Sequence, residues 1–421
     1  MRLRIIMHTV ILILILITAT SCTKPSSVPA PVKLYWKTWL EEGYTTGGLC
    51  DFYPVTYLYN PTEETLYIRG SYEGFAAIDI QNKKILWKKF GYFNDGRAPL
   101  YEYDGLIYTY IFNEKIWKIW YNGEVYIVGI DKKTGEIKWK YMLEANDISV
   151  GFTLKDKYIY AMDWDPEAAL STEGILKKID IETKEVVWEV RGLKPLKSVK
   201  PVIDDESGLV FVGSLGVVAG NPVFYAFDKE TGKLKWKKIF ENEPWGIFTT
   251  PIVHGEFVYV VTDTGRFYKF KKDTGELIWH TVFEEECPEY KGDAIHFEEN
   301  TYIYKGKYLI TVETDEIGAV AVDTETGKIV WIHPGYGALE GIYLDEKEGK
   351  IYAHGWGDVL ECVDAETGKR LWKYSYENGC MRLAGAPYKV GKYIIDGDTS
   401  NYLYVLEEYG DLPKKLCNKL F

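Results

Sequence analysis

Glutamine is almost missing from this chain: of 421 residues only Gln81 carries that side chain. Lys and Glu dominate the charged set instead, a usage shared with thermophile proteomes. The six histidines include no HxH or HExxH spacing, which removes the usual paired zinc ligands. The six cysteines contain no CxxC and no adjacent pair, which argues against a zinc ribbon or a thioredoxin-type centre. There is no P-loop and no GxSxG nucleophile elbow. The net charge is −12 with Lys and Arg spread along the chain, so a dedicated nucleic-acid binder is set aside. Asp163-Trp164-Asp165 and Asp396-Gly397-Asp398 with Asn401 lack EF-hand spacing and read as turns. The glycine-rich stretch 335–341 has the wrong spacing for a dinucleotide fingerprint and reads as a loop. From motifs alone no metal, no cofactor and no catalytic residue is expected.

Hydrophobic residues make up 46% and charged residues 27%, enough apolar material for a large core and too much for a disordered chain. Tyrosine (34), tryptophan (14) and glycine (39) are abundant, a usage that leans towards strands joined by many turns.

Residues 1–21 read as an export signal: Arg2 and Arg4, an apolar run over 10–17, then small residues before Cys22. The apolar run is short for a spanning helix of ~20 residues. A cysteine directly after small residues resembles a bacterial lipobox, with Ala19 where Leu is more usual, which implies cleavage before Cys22 and lipidation of its thiol. Residues 22–32 are a Pro/Ser-rich tether, and 33–421 a single domain. The expected location is the outer face of a membrane in the cell envelope. Five cysteines remain beyond Cys22, an odd number, so at least one stays unpaired within the chain.

Self-similarity is the strongest signal. Seven segments share two or three apolar residues, Asp, a polar turn, then Trp: AAIDIQNKKILW, VGIDKKTGEIKW, KKIDIETKEVVW, YAFDKETGKLKW, YKFKKDTGELIW, VAVDTETGKIVW and ECVDAETGKRLW. Their tryptophans are Trp87, Trp139, Trp188, Trp236, Trp279, Trp331 and Trp372. Asp79, Asp131, Asp180, Asp228, Asp323 and Asp364 stand eight residues earlier, and Lys271 takes that place in the fifth segment. Alternating apolar residues mark a half-buried strand. Asp and Thr bond turn amides, and Gly supplies positive φ. The indole fills the wedge between adjacent sheets. A strand pair precedes each motif, so each unit has four strands, a to d, with the Asp/Thr-Gly turn joining c to d.

A four-stranded unit repeating every ~40–50 residues is a propeller blade. After Trp372 three strands follow without a fourth, and near the start KLYWKTWL is a fourth strand without the preceding three. Trp36 therefore supplies the eighth member of the series. The expected fold is all-β: an eight-bladed β-propeller of four-stranded antiparallel blades, closed by the N-terminal strand completing the last blade, which removes the sheet edges that invite aggregation. Seven blades, with both chain ends outside the ring, is the alternative. Closure would also bring Cys50 and Cys417 near one another, as a candidate disulfide.

The repeat resembles the pyrroloquinoline-quinone (PQQ)-like propellers with their tryptophan-docking motif, over about residues 33–421. Together with the lipobox it is similar to the BamB-type lipoproteins of outer-membrane barrel assembly. That resemblance implies a non-enzymatic scaffold with protein partners, attached to the membrane through its lipid. Quinoprotein enzymes share the repeat and would imply PQQ with calcium. They typically carry an adjacent Cys-Cys pair, a catalytic Asp and Glu/Asn calcium ligands, none of which maps onto residues here.

Repeated residues answer needs that every blade shares, so function should sit where blades differ. The b–c and d–a connections lie on the face opposite the c–d turns and vary in length, with insertions at 113–124, 162–174 and 214–222. Trp117, Trp120, Trp164, Trp245 and Trp356 map to these connections, as do Tyr121, Arg97 and Arg382. Aromatic and arginine side chains are favoured at interface hot spots, which makes these eight the candidate partner-binding residues. Their rings would equally suit a plug for the channel mouth, or a carbohydrate face as a further reading.

Overall fold

The computed structural model describes residues 30–40, 52–94, 99–113, 124–145, 151–164, 173–196, 200–216, 220–241, 243–290, 296–297, 301–313, 318–334, 341–355, 359–376, 385–398 and 402–409. They form eight blades of four antiparallel strands. In the fourth blade, Val202–Asp204, Leu209–Gly213, Val223–Asp228 and Leu234–Ile239 pair in chain order. The two middle strands are buried almost throughout, while the outer strand, LKWKKI, is largely exposed. Middle strands are covered on both faces by neighbouring blades, which is why they read as continuous apolar runs.

Two blades depart from this regularity. Residues 65–72 of the segment Thr65–Asp79 pair with Phe52–Asn60, and residues 72–79 pair with Lys84–Asn94. Leu66 and Ile68 share one apolar cluster with Ala76 and Ile78, so the segment doubles back and fills two strand positions. This first blade is joined to the second by a single backbone pairing, Phe93 with Phe112.

Val32–Trp39 lies against Tyr402–Glu408 and completes the last blade, in the order Val32–Trp39, Tyr402–Glu408, Tyr393–Gly397, Tyr388–Val390. Val32 pairs with Glu408 and Trp39 with Tyr402. The Tyr409 N–H donates to the Pro31 carbonyl at 2.7 Å, and Lys33 pairs with Glu407 at 3.0 Å. The count of eight over seven is thereby settled.

The repeat motif has a geometric explanation. In every blade the residue just before Trp is a β-bulge: Ala226 faces Trp236 but Phe227 faces Leu234, and Val405 faces Trp36 but Leu406 faces Leu34. The same shift occurs before Trp87, Trp139, Trp188, Trp279, Trp331 and Trp372. The extra residue re-aims the indole out of its own sheet and towards the next blade. There Trp87, Trp139, Trp188, Trp236 and Trp279 donate Nε1–H to the carbonyls of Lys132, Ile181, Lys229, Lys272 and Thr324, at 2.9–3.1 Å. The turn glycine of the receiving blade lies flat under the ring. A Cβ on Gly135, Gly232, Gly275, Gly327 or Gly368 would come within 2.9 Å of the indole. Burying ~150–250 Å² of indole is worth up to about 4–6 kcal/mol at ~25 cal/mol per Å², against ~1 kcal/mol for the hydrogen bond. Ring contact therefore dominates each seam.

Asp closes the turn itself. Asp228 Oδ1 accepts the amides of Glu230 and Thr231 and the Thr231 hydroxyl. Asp131 and Asp323 do the same with their own turns. These bonds hold the Asp131 carboxyl below its ordinary range; the Thr231 hydroxyl and Lys235 do so for Asp228. Lys271 cannot accept, and pairs instead with Glu276 at 2.6 Å.

Two faces result. The a–b and c–d turns share one, bonded to each other by a recurring backbone bond such as Lys229 N–H to Gly208 O and Ala365 N–H to Gly349 O. In the last blade Glu408 N–H donates to Lys392 O in the same way. The b–c and d–a connections occupy the opposite, loop face.

Candidate functional site

The candidate site lies on the loop face, and its best described part is the connection entering the fifth blade. There Gly216 N–H donates to Trp245 O at 2.8 Å, Ile247 N–H to Ser214 O, and Asp263 N–H to Gly246 O. Gly246 has φ +137°, and a Cβ there would strike Leu215. The segment is thus fixed by its backbone, while the Trp245 side chain stays 45% exposed. Its ring stands edge-on to His296, centroids 6.4 Å apart. His296 Nδ1 lies 3.0 Å from Asp263 Oδ2. Glu243 is buried and accepts the Thr264 hydroxyl and the Trp245 amide. An exposed indole on a rigid support loses little entropy on binding, as interface anchors require.

Trp164 corrects the expectation. It ends strand Tyr158–Trp164, pairs with Gly174, and is 1% exposed. It belongs to the buried apolar cluster between the second and third blades that also holds Leu143, Ala145 and Phe152, out of a partner's reach. Arg97, Trp117, Trp120, Tyr121, Trp356 and Arg382 lie outside the described residues, as do Cys22, Cys50 and Cys417. The two described cysteines, Cys287 and Cys362, are buried and unbridged; burial pushes the Cys362 thiol up to about 12.

A polar residue at the end of the second strand recurs on this face, and the sequence reading missed it. Asp163 accepts the amides of Glu144 at 3.0 Å and Ala145 at 2.7 Å, and pairs with Lys177 at 2.9 Å. Glu144 in turn takes Arg191 and Lys177, and Arg191 above all holds its carboxyl down to about 2. Ser214 Oγ accepts Val223 N–H at 2.7 Å. Asp396 accepts Gly397 N–H and the Tyr376 hydroxyl, at 2.9 and 2.7 Å. Burial pushes the Asp396 carboxyl up to about 7. Asp398 accepts Tyr402 N–H and the Tyr404 hydroxyl. Asp163, Asp396 and Asp398 therefore close strand ends, where the sequence suggested turns. Aligning YAMD, FVGS, VVTD and YIID by blade would have exposed the pattern.

Among the described residues no three His, Cys, Asp or Glu side chains converge as a metal site.

The comparisons with known proteins agree on the architecture. The family model of the outer membrane protein assembly factor BamB matches residues 122–238, 172–291 and 297–412. The structure of BamB from Moraxella catarrhalis superposes with a TM-score of 0.60 at 13% identity, over 89% of this chain and 99% of that one. Quinohemoprotein alcohol dehydrogenase from Comamonas testosteroni gives 0.65 at 12% identity, over 91% and 78%. A quinoprotein ethanol dehydrogenase of Pseudomonas putida is 26% identical over 279 residues, 60% of this chain and 38% of its own length. The chain thus spans about two fifths of the curated relatives it matches.

Proposed function

The chain belongs to the family of the outer membrane protein assembly factor BamB, and from that premise we propose that it is a non-enzymatic envelope propeller that binds protein partners through its loop face. In this reading residues 1–21 are removed, Cys22 carries the lipid, residues 22–32 are the tether, and the ring works outside the cytoplasm as an assembly or scaffold factor. The observation that carries the reading is the division of labour among the tryptophans. Those of the repeat face the next blade, whereas Trp245 stands exposed on a backbone-locked loop of the variable face. The sequence assigns Trp117, Trp120 and Trp356 to connections of that same face.

The test is crosslinking capture from the native membrane. Replacing Trp117, Trp120, Trp245 and Trp356 by Ala should abolish capture of the partner while leaving the melting temperature unchanged. Unchanged capture would remove the loop face from consideration.

A quinoprotein-type activity is the second reading, favoured by the curated dehydrogenase relatives. It predicts that PQQ with calcium raises the melting temperature. A carbohydrate-binding role is the third, and it predicts signal on a glycan array.

A further inference from the structure

The path of the first strand sets which face the anchor can reach. Val32 lies opposite Glu408, and Pro31 O accepts Tyr409 N–H, so the chain enters the ring at the end that carries the a–b and c–d turns. It then runs away from those turns, and Trp39 ends against Tyr402 near the loop face. We infer that the turn face is apposed to a lipid surface and the loop face is presented away from it; this rests on the proposed lipidation of Cys22.

Lengths decide between the two orientations. Residues 22–31 span at most about 35 Å when fully extended, and a Pro-rich segment in polyproline geometry spans about 31 Å. With the turn face towards the bilayer the tether has that whole reach to spare. With the loop face towards the bilayer the tether must first climb the outer wall of the last blade. That wall is at least the length of Val32–Trp39, eight residues or about 26 Å at ~3.3 Å each. Only a tether pulled almost taut could do so, and stretching it removes nearly all of its conformational freedom. A partner therefore meets the loop face from the side away from the membrane, with Trp245 outward.

Energy transfer tests the orientation. Lys233, exposed on the c–d turn of the fourth blade, and Trp245, exposed on the loop face beside the same blade, mark its two ends. Full-length lipidated protein would carry a coumarin amino acid in place of Lys233 or of Trp245. Each form is bound to phosphatidylethanolamine/phosphatidylglycerol vesicles containing a headgroup-labelled acceptor lipid, and flotation is measured on the same samples. The expected result is flotation of both forms, with transfer from position 233 at least twice that from 245. Flotation with equal or reversed transfer overturns the orientation and leaves the anchor standing. Failure to float overturns the anchor, and the orientation with it. Unchanged melting curves for the two labelled forms confirm that the substitutions are tolerated.

Discussion

Trp36 lies opposite Val405, across the seam where the first strand of the ring meets the last strand of the chain. The pairing has the same bulged register as Trp236 opposite Ala226, although residues 36 and 405 stand at opposite ends of the sequence. Tyr35, the bulge residue, sends its hydroxyl to Gln81 O at 3.0 Å in the first blade, and Lys83 returns a bond to Tyr35 O at 2.8 Å. The closing seam thus binds the eighth blade to the first.

The turn glycines do more than accept a positive φ. Gly275 (φ +68°) would place a Cβ 2.7 Å from the Trp236 ring, whereas Gly255 (φ +58°) has open space around it. Gly255→Ala should cost ~1 kcal/mol from backbone strain alone. Gly275→Ala should cost about 2–3 kcal/mol, because the indole must also shift. Urea unfolding of the two variants decides the matter, and equal losses would show that the ring does not rest on the turn.

Two loop-face tryptophans should behave oppositely. Trp164→Ala empties a core position and should cost about 3–5 kcal/mol. Trp245→Ala should change stability by no more than ~0.5 kcal/mol while weakening partner capture. A large stability loss at Trp245 would reassign it to the core.

The fifth blade lacks the aspartate that closes the other turns. Lys271→Asp offers an acceptor to the turn amides and should add ~1 kcal/mol. The lost pair with Glu276 is exposed and worth only a few tenths of a kcal/mol. Thermal unfolding at neutral pH measures the gain; a lower melting temperature would contradict the capping role.

Asp396 should make stability depend on pH. Its folded pKa is raised to about 7 by burial, so between the unfolded value and about 7 the folded state holds a proton that the unfolded state has lost. Stability from this group is therefore greatest at acid pH and falls as pH rises from about 4 to 7, by up to ~4 kcal/mol. Asp396→Asn removes that slope. The difference in melting temperature, variant minus parent, should grow in the variant's favour from pH 4 to pH 8. A constant difference would mean that Asp396 is ionised throughout.

The ring was legible because one need recurs in every blade. Asp, Gly and Trp at fixed spacing mark the turn and the seam, and the Asp–Trp interval includes the bulge residue that aims the indole. Even the unpaired fourth strand around Trp36 was readable, as the complement of three strands after Trp372. The loop face was less legible. Trp164 and Trp245 both map to connections, and sequence alone does not separate a ring buried in the core between two blades from one left in solvent. Asp163 and Asp396 read as turn residues and Asp263 drew no notice, because bonds that fix them run to Glu144 and Ala145, to Tyr376 and to His296, which no local motif records.

Hydrogen exchange on the intact protein tests ring closure most directly, and with it the assignment of connections to one loop face. If Val32–Trp39 completes the last blade, Tyr402–Glu408 is an inner strand, and its amides should exchange as slowly as those of Val223–Asp228, the equivalent strand of the fourth blade. If every second amide from 402 to 408 exchanges within seconds, as on a free sheet edge, the ring is not closed by its first strand.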